Sequence, residues 1–121
     1  MHELSLMDGI FSRAEAALKP YGSVKVNSLT VRIGPLANIM PAAFDFAFEA
    51  LSAGGIFEGA QLITEPLPIT ARCQACDREF ASRALPLICP DCAAREVMVT
   101  GGDEVYLASI DFNEEGEAIA D

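Results

Sequence analysis

The sequence predicts an α+β fold, in which two helices cover a three-stranded sheet and a zinc-ribbon-like lobe is inserted into this small mixed α/β core. Two segments carry apolar residues at the three- and four-residue spacing of a helix, and others alternate apolar and polar residues as strands do. All four cysteines fall in one stretch, as two CxxC pairs. At 121 residues, the chain has the length of one domain, or of one core with a small metal-held lobe.

The two helices are predicted from their apolar faces. The first runs from Ser5 to Leu18, with Ser5 in a capping position, and its shared face consists of Met7, Ile10, Phe11, Ala14 and Leu18. The second begins at Pro41, where the missing N–H of proline costs nothing, and ends before Gly54. Its apolar face consists of Phe44, Ala47, Phe48 and Leu51.

Strand-like alternation occurs in four segments, which are 24–33, 60–65, 97–100 and 105–111. In the first of them the alternation changes parity across Asn27 and Ser28, so a bulge or bend is expected there. The last two are joined by residues 101–104, which supply glycine where a turn needs positive φ. From Asn113 onwards the chain is acidic and is predicted to be frayed.

The order of these segments predicts an insertion. It reads helix, strand, helix, strand, cysteine-bearing lobe and strand, so the last strand returns to the core sheet. We assign residues 1–68 and 103–121 to an α/β domain and residues 69–102 to the metal-binding lobe. Pro66 and Pro68 mark the exit from the core.

The four cysteines are the strongest chemical signal in the sequence. Cys73 and Cys76 form one pair, Cys89 and Cys92 form the other, and twelve residues separate the pairs. Two tight turns can therefore present four thiolates to one ion, and a tetrahedral sulfur site selects zinc first and iron second. Such a closed site is structural because no position is open for water. A rubredoxin-like iron site, a redox pair and a disulfide framework are the alternatives.

Composition and charge exclude several classes of function. The net charge of −10 repels a nucleic-acid backbone, so no nucleic-acid partner is expected. No window of about 20 apolar residues and no signal peptide is present, so we expect a cytoplasmic protein without membrane contact. The sequence carries neither a nucleotide-binding motif nor a nucleophile paired with a base, and its cysteines are assigned to a metal. We therefore expect that the protein is not an enzyme.

The N-terminus offers a second set of metal ligands. His2 is the only histidine, and its imidazole lies within a few bonds of the Met1 α-amine and of the backbone nitrogens of His2 and Glu3. Fused chelate rings from such donors enforce a planar four-nitrogen arrangement, which suits Ni(II) or Cu(II) and not Zn(II). From position alone, a histidine near a chain end is more often an accident of sequence than a ligand.

With these features together, the sequence resembles the HypA/HybF family of hydrogenase-maturation nickel metallochaperones. The matching segments are Met1–Ser5, Val31–Gly34 with Leu36, Phe46–Phe48, Glu58–Ala60, both CxxC pairs and Val105–Leu107 with Ser109 and Ile110. The resemblance implies transported Ni(II) at Met1, His2 and the Glu3 backbone. It also implies a structural zinc ion at Cys73, Cys76, Cys89 and Cys92.

The resemblance also implies partners. They are a HypB-like GTPase, the large subunit of a [NiFe]-hydrogenase and, in some organisms, urease maturation proteins, with the chain acting as a monomer or homodimer. Two other classes remain open from the residues alone. One is a zinc-ribbon protein-interaction module without nickel delivery, and the other is a redox protein that uses its CxxC pairs.

Overall fold

A computed structural model of the chain describes residues 2–115. Its helices and strands, in chain order, are α1 (His2–Leu18), a short 3-10 helix (Lys19–Tyr21), β1 (Val24–Ile33), α2 (Pro41–Ser52), β2 (Gln61–Pro66), β3 (Ile69–Cys73), β4 (Glu79–Ser82), β5 (Val97–Gly101) and β6 (Val105–Glu114). The strands form two three-stranded sheets, with the orders β2-β1-β6 and β4-β3-β5. The predicted fold class, two helices with a three-stranded sheet and an inserted cysteine-bearing lobe, is confirmed.

The chain divides into two compact units. The first, here the helical unit, takes in the chain up to Val31, Ile39–Thr64 and the chain from Tyr106 onwards. The second, here the cysteine unit, consists of Arg32–Asn38 and Glu65–Val105. The helix faces and the core sheet therefore belong mainly to one unit, and all four cysteines belong to the other.

The predicted helix faces form much of the core of the helical unit, although Leu51 is only half-buried. All five apolar residues predicted for α1 are buried, and so are Phe44, Ala47 and Phe48 of α2. The Phe11 ring meets Phe48 edge-on, with ring centroids 5.6 Å apart, and lies 4.4 Å from the ring of Phe57. Burying each such side chain contributes about 1.5–3 kcal/mol, so this aromatic contact is a main source of stability for the unit.

Two predicted boundaries differ from the structure. Helix α1 begins at His2 and not at Ser5, so the predicted Ser5 cap is wrong. The predicted boundary was based on apolar periodicity, which does not extend into the polar first turn of the helix. In β1, the buried positions are even-numbered up to Val26 and odd-numbered from Leu29, which is the predicted change of parity. The strand is continuous across this change. Strand β6 continues to Glu114, which corrects the frayed tail predicted from Asn113, and residues 116–121 lie outside the described part of the chain.

The cysteine unit has a sheet of its own that the sequence did not predict. Strand β3 pairs antiparallel with both β4 and β5, although neither β3 nor β4 was predicted. In β3, the buried residues alternate with more exposed ones, and they are Ile69, Ala71 and Cys73. This alternation is too short to be recognised in the sequence between Pro68 and the cysteine turn. Since β5 and β6 belong to different sheets, residues 101–104 do not close a hairpin, although Gly102 does have a φ of +123°.

No helix among the described residues is both long enough and apolar enough to cross a membrane.

Candidate metal centre

Two turns of the same shape present the four cysteines. In the first turn, the N–H of Asp77 donates to the carbonyl of Cys73 (2.8 Å), and in the second the N–H of Ala93 donates to the carbonyl of Cys89 (2.9 Å). Asp77 and Ala93, each four residues after the first cysteine of its pair, both adopt the left-handed conformation, with φ of 66° and 63°. This shared backbone turns the two thiols of each pair towards the same point.

The geometry of the sulfur atoms fits a tetrahedral metal site. All four Sγ atoms lie within 4.8 Å of one another, with Cys73 and Cys92 at 3.6 Å and Cys76 and Cys89 at 3.7 Å. A tetrahedron with zinc–sulfur bonds of 2.3 Å has edges of about 3.8 Å, whereas a disulfide needs a bond of about 2.05 Å. All four cysteines are free thiols in the structure. The residues therefore fit zinc.

Backbone N–H groups favour the thiolate form at the second pair. The pKa of Cys89 is lowered to about 7, first because the N–H of Cys92 donates to its sulfur and then because the N–H of Asp91 does the same. Cys73 receives a similar bond from the N–H of Cys76, at 3.5 Å. Such bonds stabilise negative charge on sulfur, which a metal-bound thiolate also carries.

Two of the thiols hold their protons more tightly. The N–H of Ala94 favours the thiolate of Cys92, but contact with the thiol of Cys73, desolvation and the remaining thiols outweigh it and raise the pKa of Cys92 to about 12. At Cys76, the hydrogen bond from the N–H of Arg78 lowers the pKa of the thiol. Desolvation and contacts with Cys89 and Cys73 outweigh this bond, so the pKa of Cys76 is raised overall. A metal ion that binds here must therefore displace protons, so its affinity increases with pH.

Charged side chains surround the centre in pairs. Arg78, which follows the first cysteine pair, bonds to Asp91 between the cysteines of the second pair, at 2.8 Å. Arg72 on β3 bonds to Glu79 on β4 at 3.0 Å. This contact is the main cause that raises the pKa of Arg72, and the nearby charge of Asp77 is the second. These side chains are half exposed or more, so each pair adds little stability, but the Arg78–Asp91 pair links the two turns.

The N-terminal candidate ligands lie in the helical unit. His2 is the first residue of α1 and is exposed, while Met1 lies outside the described residues. The N–H of Met40 donates to the Glu3 carboxylate at 3.1 Å, and this bond is the main cause that lowers the pKa of Glu3. Met40 is the N-cap of α2 and has no capping side chain of its own, so Glu3 supplies one. Sequence spacing offered no sign of this contact.

Among residues 2–115, the four cysteines are the only group of three or more histidine, cysteine or acidic residues close enough to hold one metal ion. The structure thus brings all four predicted zinc ligands together. The structure places no histidine, cysteine or acidic cluster from another part of the described chain beside His2 that could complete a metal site with it.

A family model for hydrogenase and urease nickel incorporation, the metallochaperone HypA, matches residues 1–112. This chain belongs to the HypA family. The match spans α1, both sheets and both cysteine pairs, so the resemblance seen in the sequence is confirmed. The family is one of nickel metallochaperones and maturation factors.

Curated relatives within the HypA family cover almost the same length. The hydrogenase maturation factor HypA of Desulfitobacterium hafniense is 40% identical over 114 residues, which are 94% of this chain and 100% of that protein. The HypA of a Picosynechococcus strain is 39% identical over 111 residues, which are 92% of this chain and 98% of that protein.

Solved structures of HypA proteins share the fold. One solution structure of a HypA protein matches with a TM-score of 0.69 and 25% identity, over 94% of this chain and 98% of that one. The nickel metallochaperone HypA of Helicobacter pylori matches with a TM-score of 0.65 over 90% of this chain and 95% of that one. At 23% identity, the second match is a likeness of fold alone.

Proposed function

We propose that this chain carries Ni(II) at its N-terminus and delivers it during maturation of [NiFe]-hydrogenase, and that its four cysteines hold a structural zinc ion. Met1, His2 and the backbone of Glu3 are the nickel ligands, and Cys73, Cys76, Cys89 and Cys92 are the zinc ligands. The observation that carries the nickel assignment is the position of His2 as the first residue of α1, in a chain of this family.

The start of a helix suits backbone nitrogen ligands. The first four N–H groups of an α-helix have no partner within the helix, so the amides of His2 and Glu3 can lose their protons without breaking a helical hydrogen bond. Two deprotonated amides are anionic, and the positive end of the α1 dipole favours them. With the Met1 amine and the His2 imidazole, they complete the planar four-nitrogen arrangement that suits Ni(II).

The Glu3 contact supports this ligand set. Its carboxylate is engaged by the N–H of Met40, so the backbone of Glu3, and not its side chain, is the part directed to the metal. The same bond joins the first turn of α1 to the N-terminus of α2 and orders the residues beside the ligands.

The two metals have different roles. Four thiolates fill the tetrahedron around zinc and leave no position for an incoming ligand, so zinc is retained as part of the fold. Nickel, held by a short terminal segment, passes on by ligand exchange. We accordingly assign nickel transfer to the domain of residues 1–68 and 103–121, and the scaffold role to the lobe of residues 69–102.

The partners follow from membership of the family. We propose that a HypB-like GTPase exchanges nickel with this chain in the cytoplasm, and that the large subunit of a [NiFe]-hydrogenase receives it. The family description also includes urease, so urease maturation proteins are a second group of recipients.

The test is a titration of zinc-loaded, untagged protein with Ni(II), with heat and the visible absorption of planar nickel as readouts. We expect one nickel site in the wild type, its loss in His2→Ala, and one zinc ion per chain in both. The matched control is Asp8→Ala, which removes an exposed side chain from the same helix and leaves the nitrogen ligands intact.

Two outcomes would contradict the proposal. One is an unchanged nickel site in His2→Ala. The other is a wild type with no nickel site, which would leave a zinc-held interaction module as the function of the chain.

A further inference from the structure

The outer face of α2 carries an exposed aromatic side chain. Phe46 is 72% exposed, whereas Phe44 and Phe48, on the opposite side of the helix, are buried. Helical spacing places Ala42 and Ala50 one turn to either side of Phe46, and both are exposed. Phenylalanine forms helices less well than alanine, so Phe46 stabilises neither the core nor the helix itself.

Two carboxylates border this outer face along one side. Asp45 and Glu49 are four residues apart on α2, so they are neighbours on the helix surface. Both are exposed, and among residues 2–115 neither carboxylate has an ion-pair or hydrogen-bond partner. The outer face is therefore apolar along its middle and negative along one edge.

An open cleft of about 580 Å³ adjoins this negative edge, within the helical unit. Asp45, Glu49 and Glu58 supply its charges, and Phe48 supplies part of its apolar lining. Lys25 donates a hydrogen bond to the backbone carbonyl of Glu58, but it forms no ion pair with any of the three carboxylates. The cleft therefore keeps its negative charge.

The chemistry of the cleft selects a cation on an apolar stem. Its three carboxylates do not converge closely enough to hold one metal ion among them. A lysine or arginine side chain instead lays its methylene groups along apolar surface and places its charge at the carboxylates. The helical unit contains three basic and eleven acidic residues, a net charge of −8, and so attracts a partner with such side chains.

The outer face of α2 is also near the proposed nickel ligands. The N–H of Met40, the N-cap of α2, bonds to the Glu3 carboxylate at 3.1 Å, so α2 begins beside the first turn of α1. Phe46 follows Met40 by six residues, which is about 9 Å along the helix axis. A partner that covers about 800 Å² around Phe46 therefore extends as far as His2.

We propose that the outer face of α2 and the adjoining cleft form the docking site for the protein that receives nickel from this chain. Phe46 fills an apolar pocket of that protein, and a lysine or arginine beside the pocket enters the cleft. Docking there keeps His2 close to the recipient while the nickel ligands exchange. This inference rests on the nickel-delivery function proposed above, in which the recipient is the large subunit of a [NiFe]-hydrogenase.

The first test is the affinity of the full chain, loaded with zinc and nickel, for the nickel-free large subunit from the same organism. Biolayer interferometry measures the dissociation constant. Phe46→Ser should raise it at least about thirtyfold, as truncation of a central aromatic anchor does. Because Phe46 is exposed and serine forms helices about as well as phenylalanine, the variant should keep its metals and its far-UV circular dichroism.

The matched control is Leu85→Ser. Leu85 is 67% exposed, close to the exposure of Phe46, but it lies in the cysteine unit. Its removal should leave the dissociation constant unchanged, since it lies on neither α2 nor the cleft.

A second test addresses the cleft. Asp45→Asn/Glu49→Gln removes two charges and keeps the shape of both side chains, so binding should weaken about tenfold at low salt and should depend less on ionic strength. The control Asp8→Asn/Glu15→Gln removes two exposed carboxylates of α1 and changes the net charge of the unit equally. Its effect should be smaller, because it alters long-range attraction alone.

Several results would overturn the proposal. They are a wild type that does not bind the large subunit, a Phe46→Ser variant that binds as tightly as the wild type or no more weakly than Leu85→Ser, and a cleft variant that matches its α1 control. Variants that weaken binding of the HypB-like GTPase and not of the large subunit would overturn it as well.

Failure of the nickel-delivery function has a different signature. Titration of the wild type with Ni(II) would then show no site that depends on His2. Failure of the docking site alone leaves that titration unchanged in the wild type and in every variant of α2.

Discussion

At Gly34, two backbone segments of the cysteine unit approach closely. Its N–H donates to the carbonyl of Glu104 at 2.7 Å, and the N–H of Leu36 donates to the carbonyl of Gly102 at 2.7 Å. A Cβ atom at Gly34 would collide with the backbone carbonyl of Gly102, which cannot move without breaking these bonds. Glycine is required here by space and not by φ.

We therefore expect Gly34→Ala to lower the free energy of unfolding by at least about 2 kcal/mol, which thermal or urea unfolding would measure. The matched control is Gly9→Ala in α1, where a Cβ meets no atom within 4 Å. That change should instead raise stability by about 0.5–1 kcal/mol, because alanine is the better helix former. Equal effects of the two substitutions would show that the close approach at Gly34 has no energetic consequence.

At the scale of elements, the N-terminus of α2 depends on a side chain from α1. The N–H of Met40 lowers the pKa of Glu3 below its ordinary value of 4.5. A carboxyl group with a lowered pKa in the folded state stabilises the fold above its unfolded pKa, and that stability is lost as pH falls through the folded pKa.

The melting temperature of the wild type should accordingly fall more steeply below pH 4.5 than that of Glu3→Gln, which keeps an acceptor but has no charge to lose. At neutral pH the variant should be the less stable of the two. Circular dichroism of helical unfolding measures both effects. Glu15→Gln, an exposed carboxylate on the same helix, is the control and should follow the wild type. Parallel curves for wild type and Glu3→Gln would argue against the cap.

At the scale of the whole molecule, the two units differ in what stabilises them. Among the described residues, thirteen of the buried apolar side chains belong to the helical unit, whereas only Ile69, Ala71, Cys73 and Cys89 are buried in the cysteine unit. Four side chains, two of them proposed metal ligands, are too few to form a hydrophobic core. Metal binding is therefore expected to supply most of the stability of the cysteine unit.

Removing zinc with a chelator at neutral pH should disorder β3, β4 and β5 and leave α1 and α2 folded. Amide hydrogen exchange measures this directly. We expect exchange in the three strands to accelerate by roughly a hundredfold or more, and exchange in the two helices to change little. Re-addition of zinc is the control and should restore protection. Strands that stay protected without zinc would show that the cysteine unit is held by its side-chain packing.

Local patterns predicted the features that depend on neighbours in the chain. The apolar faces of α1 and α2 follow from helical spacing, and the convergence of each cysteine pair follows from a turn of four residues. His2 beside the chain terminus is likewise a local arrangement. The fold class, the metal site and the family were therefore accessible from the residues alone.

The remaining features depend on contacts between distant segments. No spacing rule places Met40 against Glu3 or assigns β5 to the sheet of β3. Periodicity reports which face of an element is apolar, but strand partners and edges are decided by competition among all pairings for the same hydrogen bonds. By itself the sequence determined the apolar helix faces and the spacing of the two cysteine pairs. Only the tertiary structure decided which strands share a sheet and which capping contact joins α1 to α2, because those depend on the whole chain folding together.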